Sequence, residues 1–321
     1  MNDDIRTRFI EDYGLPISVP YEPWFSNNIA LLEKYYKSRT KYNDLVKEIG
    51  DRTPGQFIAQ NREIRHEIRS WIEGNKAYLE FSGDKEIASH YKISKEYPKR
   101  DLYKGDNVGN RYISIDLREA NFQALRFHDP AIVRDCETWS EFIGKWSDSD
   151  YLKNTKLNRQ RLLGKLSPEK QSIIETYIMS GIHEMLTMRQ TNLELVSLKT
   201  DEIIYKIGNN IASDPILSDA LWVSAKDMGI RVRAEVFKLR SLQLFTTHGN
   251  SIFGFYKKYE DKDKPVSFHG IPKIYLPQFI KFYEGRFEEV NNFDLAFLTP
   301  QDNEIAIFIN PLHQILNENI S

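Results

Sequence analysis

Cysteine is almost absent from this sequence, since Cys136 is the only one among 321 residues. A single thiol excludes an internal disulfide and a zinc site built from several thiolates. No stretch approaches the roughly 18 apolar residues that a membrane span needs. The acidic start, MNDDIRTRFIEDYG, also lacks the apolar core of a secretory signal. Together these absences predict a cytoplasmic protein with no membrane partner.

Internal repeats, low-complexity tracts, Gly/Ser linkers and a phosphate-loop signature are missing as well. Hydrophobic content of 40% and charge of 28% are typical of a globular protein. The net charge is only −2, yet residues 153–171 carry six Lys or Arg against one Glu. Such a segment indicates either a basic groove for nucleic acid or a solvated helix face.

Residue spacing predicts an α+β protein. A helical N-terminal region is expected over residues 1–108, except that KAYLEFSG has the pattern of a short strand. A core over residues 109–210 contains a strand that ends at Asp116, a basic helix over 153–166 and a long helix from Pro168 to about residue 190. The last region, 211–321, begins with a helix at Pro215 and continues with strands and helices.

An acidic turn interrupts the β-rich run LELVSLKTDEIIYKI, which predicts a hairpin with Asp201 at its tip. Asp116 ends another strand, YISID. If the two strands are neighbours, both carboxylates lie at one edge of the sheet, where they repel each other unless protons or cations intervene. Two carboxylates with open positions suit Mg²⁺ or Mn²⁺, and paired metals of this kind serve phosphoryl transfer. Ordinary acids at strand ends are the alternative.

Three segments then resemble, in order, the palm motifs of family B DNA polymerases. DLREANF has the strand-terminal Asp of the first motif, and KLNRQRLLG keeps the Lys and Gly of the second, eight residues apart. KTDEIIYKI keeps the Thr-Asp pair and the apolar strand of the third. FYKKYED and SFHGIPK are similar to the basic strand and the Gly-containing return that follow in the family. The resemblance covers roughly residues 110–275 and implies a palm-like antiparallel sheet with packed helices.

The resemblance implies a set of site residues. Asp116 and Asp201 would hold the metal ions, with help from Glu202. Side chains facing the incoming nucleoside triphosphate would be Lys156, Arg159, Gln160, Asn121 and Phe122, the last two at the place of the family's aromatic sugar gate. Residues contacting the primer backbone would be Lys257, Lys258 and Tyr259. Three alternatives stay open. In these, the basic helix has a solvated face over buried leucines, Phe122 only packs in the core, and the lysines protect an edge strand by their charge.

The implied activity is primer extension by a DNA polymerase-like nucleotidyltransferase, with primer-template, nucleoside triphosphates and a replication partner chain as partners. Too few residues precede Asp116 for the family's proofreading domain. A minimal palm, a fragment of a split enzyme and a palm without activity all fit. A compact palm without proofreading suits DNA replication in a virus, phage or mobile element, and the location is then the host cytoplasm if the protein is viral. Two other functions stay open: a non-catalytic nucleic-acid-binding accessory protein, and a two-metal nuclease that would need Glu119 or Glu184 as a further carboxylate.

Overall fold

A computed structural model describes residues 3–93, 95–189, 193–208, 221, 225–245, 251–286, 296–298 and 305–307. The predicted α+β class is confirmed, because helices accompany an antiparallel sheet of six strands in the order β2-β3-β1-β4-β5-β6. Within the described residues, no helix is both long enough and apolar enough to cross a membrane.

The helices are α1 (Asp3–Asp12), α2 (Trp24–Tyr36), α3 (Ser38–Ile49), α4 (Pro54–Gly74), α5 (Lys76–Gly83), α6 (Ile87–His90), α7 (Ala120–His128), α8 (Trp139–Gly144), α9 (Asp150–Asn154), α10 (Lys156–Leu163), α11 (Pro168–Arg189) and α12 (Leu276–Tyr283). The strands are β1 (Arg111–Leu117), β2 (Glu194–Leu198), β3 (Glu202–Ile207), β4 (Val232–Phe245), β5 (Ser251–Tyr259), β6 (Ser267–His269), β7 (Ala296–Leu298) and β8 (Ile305–Ile307). β7 and β8 form a separate two-stranded sheet.

The chain forms two compact units. The central unit contains residues 55–102 and 110–237, and the terminal unit contains residues 1–54, 103–109 and 238–321. Most of α4, together with α5 and α6, therefore belongs to the same unit as β1, β2 and β3. The boundaries predicted after residues 108 and 210 stay a prediction.

The sheet of the central unit consists of β2, β3, β1 and the first part of β4. β1 is buried on both faces, since consecutive residues from Tyr112 to Ile115 are all buried. Helix α11 packs against β2, β3 and α7. It does so through isoleucines four residues apart, Ile174, Ile178 and Ile182, which are all fully buried. Each such side chain contributes about 1.5–3 kcal/mol by leaving water, and this packing holds the strand ends in place.

The terminal unit has its own core. Phe9 of α1 and Phe25 of α2 pack with Tyr42 of α3, with ring centroids 4.8–6.2 Å apart. In the same unit, the second part of β4 is followed in the sheet by β5 and then β6. The antiparallel pairing of β5 with β6 aligns Phe255 with His269.

Two predicted elements were wrong, and both errors have local causes. KAYLEFSG forms helix α5 because the Asn75 side chain accepts a hydrogen bond from the Ala77 N–H and so caps the helix. The basic segment forms two helices, α9 and α10, because Thr155 between them has extended backbone angles. The long helix from Pro168 and the hairpin are confirmed. The helix expected to begin at Pro215 lies outside the described residues.

Candidate active site

The carboxylates identified in the sequence lie at one end of two adjacent strands. β1 pairs antiparallel with β3, and Asp116 is directly opposite Glu202. Residues directly opposite each other in an antiparallel pair place their side chains on the same face. Asp201 precedes Glu202 in the hairpin turn, and its carbonyl oxygen accepts a hydrogen bond from the Leu117 N–H at 2.9 Å. The prediction that Asp116 and the acidic hairpin lie on neighbouring strands is therefore confirmed.

The hairpin turn forms without the Asn-Gly pair that such turns often use. The Lys199 N–H donates to the Glu202 carbonyl oxygen at 2.9 Å, which leaves Thr200 and Asp201 as a two-residue loop. Neither loop residue has a positive φ, so neither position requires glycine. The turn can therefore carry a carboxylate at its tip, next to the end of β1.

Charges around Asp116 act in opposite directions. Burial raises the pKa of Asp116, and the negative charges of Asp201 and Glu202 raise it further, whereas Arg233 and Lys156 lower it. Arg233 forms a direct ion pair, with its Nη2 3.0 Å from Asp116 Oδ2. The Asp116 side chain keeps 32% of its surface exposed, so its oxygens remain accessible to a cation or a substrate.

Glu202 is less available than Asp116. Its Oε1 accepts a hydrogen bond of 2.6 Å from the Ser114 hydroxyl. Ser114 lies two residues before Asp116 on β1 and is itself buried, so it shares a face of the strand with Asp116. The hydrogen bond engages one oxygen of the Glu202 carboxylate with Ser114 of β1.

The basic helix α10 contributes positive charge to this end of the sheet. Lys156 lowers the pKa of Asp116. Burial lowers the pKa of Arg159, and the charges of Glu119 and Asp116 raise it. Lys156 and Gln160 are exposed, while Arg159 is partly buried. Among the described residues, the Nε of Arg159 is buried and has no hydrogen-bond partner.

Helix α4 holds α10 in position. Nη1 of Arg65 donates to the Asn158 side-chain oxygen at 2.9 Å, and Nη2 of Arg69 donates to the Arg161 carbonyl oxygen at 2.9 Å. Both donors come from one helix and reach two points of the other. α10 is only eight residues long, and a helix this short is not stable on its own. The contacts with α4 therefore stabilise it and fix its orientation.

Two side-chain amides, Asn121 and Gln171, form a hydrogen-bonded network that reaches Glu175. Nε2 of Gln171 donates to the carbonyl oxygens of Leu163 and Leu166, at 2.8 and 2.5 Å. The Asn121 amide donates to Gln171 Oε1 at 2.9 Å and to Glu175 Oε1 at 3.5 Å. Asn121, a predicted nucleotide contact, is thus engaged in a network that joins α7, α11 and the end of α10.

Glu175 ends this network and is only 6% exposed. Burial, and to a lesser extent the charge of Asp201, raise the pKa of Glu175 to about 7. A carboxyl group with this pKa changes its charge near neutral pH beside a proposed site residue, which is a property often found in active sites. Nothing in the motif pattern marks Glu175, because its position on α11 is indistinguishable from that of other polar helix residues.

Phe122 and the basic strand have surroundings that differ from the expected ones. Phe122 is fully buried, with its ring centroid 6.0 Å from that of Phe142, so its ring does not reach the surface of the site.

In the terminal unit, Lys257 is 6% exposed and Lys258 is exposed. Tyr259 shares a hydrogen bond of 2.8 Å with the Ser267 hydroxyl. β5 lies between β4 and β6, so the alternative of an edge strand protected by lysines is wrong. Of the two lysines, Lys258 is the exposed one.

Arg233 is the other residue that sequence reasoning missed. It lies in the run VRAEV, where Arg233 and Glu235 alternate with apolar residues. This period-two pattern predicts that both point to one face of a strand. The pattern alone does not say that β4 lies beside β1 and brings Arg233 to Asp116.

The donor set of the site fits a hard cation. Asp116, Asp201 and Glu202 supply only oxygen atoms, which Mg²⁺ and Mn²⁺ prefer. Over the described ranges, no group of three or more His, Cys, Asp or Glu side chains is arranged to enclose a metal ion. Mg²⁺ is commonly held by one or two carboxylates together with substrate phosphates rather than by a complete protein cage, and Asp116 with Asp201 suits this mode.

Comparison of the chain with models of protein families, with curated proteins and with solved structures gives no match. We therefore infer a function from the sequence motifs and from the geometry of this site.

Proposed function

We propose that the chain is a template-dependent nucleotidyltransferase with a palm-like sheet that resembles the family B DNA polymerases. The observation that supports this most is the pairing of β1 with β3, which brings Asp116 opposite Glu202 and next to Asp201. Three segments far apart in the sequence, including helix α10 with Lys156 and Arg159, bring their charges together at this end of the sheet.

In this proposal, Asp116 and Asp201 hold the divalent cations. Mg²⁺ or Mn²⁺ bound there would lower the pKa of the primer hydroxyl and offset the charge of the leaving pyrophosphate. Lys156 and Arg159 contact the triphosphate, since their positive charges already act on Asp116 from helix α10. Asn121 contributes indirectly, because its amide connects the helix after Asp116 with Glu175.

Primer extension tests this function. The protein, a primed template, nucleoside triphosphates and Mn²⁺ or Mg²⁺ should give slow lengthening of the primer. Asp116→Asn and Asp201→Asn should each abolish it, since each removes a charge that holds the metals. Asp148→Asn is the matched control, because Asp148 is fully exposed. Extension that survives both site substitutions would show that the site lies elsewhere.

A non-catalytic nucleic-acid-binding protein is the second candidate, and two contacts favour it. The carboxylates of Asp116 and Glu202 are engaged by Arg233 and Ser114, as expected if the acids only stabilise the fold. This candidate predicts binding of primed DNA with no change in primer length.

The nuclease alternative has less support from its two named carboxylates. Glu119 accepts a hydrogen bond from the Trp139 N–H and pairs with Arg231, and Glu184 accepts from the Tyr97 hydroxyl. Glu175, which is influenced by Asp201, is a better third carboxylate. Shortening of the primer in the extension assay would favour the nuclease.

A further inference from the structure

Arg233 on β4 contacts Asp116 but has no role in the reaction proposed above. β4 lies beside β1, and the Arg118 N–H donates to the Arg231 carbonyl oxygen at 2.9 Å. Arg233 projects toward the end of β1, where Nη2 contacts Asp116 Oδ2 at 3.0 Å. Its Nε contacts Glu235 Oε1 at 3.1 Å. One guanidinium thus joins an anchoring carboxylate on its own strand to the proposed metal ligand on the next strand.

The anchor and the site ligand differ in exposure. The side chain of Glu235 is 11% exposed and that of Asp116 is 32% exposed, while Arg233 is 53% exposed. A guanidinium has five N–H donors in a planar fork, so Arg233 can keep its Nε contact with Glu235 and still present Nη groups to another anion. Exposed ion pairs are weak, and the bond to Asp116 is therefore readily exchanged.

Asp116 also lies between cations from two elements, Arg233 on β4 and Lys156 on α10, and both act on its carboxyl group. A substrate phosphate bound next to Asp116 would lie within reach of both. Arginine matches the geometry of a phosphate group with two parallel hydrogen bonds, which lysine cannot provide.

We propose that Arg233 is a phosphate-binding residue of this site, which pairs with Asp116 in the substrate-free protein and is released to the nucleotide phosphates when Asp116 coordinates a divalent cation. This inference rests on the proposed function. It assigns two opposite effects to one side chain: Arg233 competes with the cation for Asp116, and it assists the binding of the nucleotide.

Two binding measurements on the full chain test this assignment. Free Mn²⁺ is followed by electron paramagnetic resonance without nucleotide, and binding of dTTP is followed by calorimetry with saturating Mn²⁺ and no primer. Arg233→Gln should tighten Mn²⁺ binding about two- to fivefold, as expected from removal of an exposed ion pair. The same substitution should weaken dTTP binding about tenfold or more, since a charged hydrogen-bond donor to phosphate is lost.

Two variants serve as controls. Arg233→Lys keeps the charge but not the fork, so Mn²⁺ binding should stay within about twofold while dTTP binding still weakens. Arg231→Gln removes a neighbouring arginine that pairs with Glu119 and not with Asp116, and it should leave Mn²⁺ binding unchanged. Arg233 is more than half exposed, so neither of its variants should disturb folding.

The outcomes separate this inference from the proposed function. Opposite shifts of the two affinities in Arg233→Gln support it. Unchanged affinities, or shifts in the same direction, overturn it even if Asp116→Asn abolishes Mn²⁺ binding, and in that case the proposed metal site stands. Mn²⁺ binding that is equally tight in Asp116→Asn overturns the metal site and the role of Arg233 together.

Discussion

Replacing Glu175 by glutamine should stabilise the protein at pH 8 and change its stability much less at pH 5. Glu175 is buried, and its pKa is raised from 4.5 to about 7 in the folded chain. A raised pKa means that the fold favours the protonated carboxyl group. Its contribution to stability is therefore fully present below pH 4.5 and is lost as the pH rises through about 7. Glutamine keeps an acceptor for the Asn121 amide and does not titrate.

The magnitude follows from the two pKa values. They differ by about 2.5 pH units, and at about 1.36 kcal/mol per unit the ionised carboxylate costs about 3 kcal/mol at pH 8. At pH 5, only about 1 kcal/mol of this cost has developed. The advantage of Glu175→Gln over the wild type should therefore grow by about 2 kcal/mol between pH 5 and pH 8.

Urea unfolding followed by tryptophan fluorescence measures this difference, because Trp71, Trp139 and Trp146 all belong to the central unit. Glu169→Gln is the matched control on the same helix, since Glu169 is exposed in the first turn of α11. Its effect should be similar at both pH values.

Asp201→Asn should reduce the pH dependence, because Asp201 is the secondary cause of the raised pKa of Glu175. If Glu175→Gln changes the free energy of unfolding equally at pH 5 and pH 8, the reasoning about Glu175 is refuted.

Three further predictions concern binding and packing. Lys156→Ala should weaken nucleotide binding in calorimetry without lowering the melting temperature, since Lys156 is exposed; an affinity as high as in the control Lys76→Ala would assign α10 to a solvated face. Binding of primed DNA should weaken as salt rises, because Lys and Arg release counterions from phosphates. Lys258→Ala should reduce that salt dependence in fluorescence titrations more than Lys262→Ala does, and equal slopes would argue against the strand as a backbone contact. Phe122→Ala should destabilise the fold by about 3–5 kcal/mol, because the ring is fully buried; a loss below about 1 kcal/mol in urea unfolding would contradict its role in packing.

Several features follow from local sequence alone. The β-rich runs on both sides of residues 199–201 specify the hairpin, and Pro168 specifies the start of α11, because turn formation and helix initiation depend on a few neighbouring residues. Asp116 at the end of an apolar strand was predictable for the same reason. These local signals predict a strand ending at Asp116 and a hairpin turn that carries Asp201.

Other local signals were too weak to decide the structure. KAYLEFSG has a pattern that suits a strand or a helix, and the cap at Asn75 selects the helix. Thr155 separates α9 from α10 although no glycine or proline marks the break. In both places, a single side chain or backbone conformation outweighs the propensity of the surrounding segment.

Tertiary structure alone decided which charges meet. Arg233 is 117 residues from Asp116 in the chain, and Glu175 is separated from Asp201 by the remainder of α11 and by β2. Strand order depends on the burial of whole faces of the sheet and helices, and no short window of residues encodes it. The raised pKa of Glu175 likewise arises from the packing of α11 against the sheet, which removes its carboxyl group from water. Local sequence therefore predicted the strand with Asp116 and the hairpin with Asp201, and packing determined that Arg233 and Glu175 lie near them.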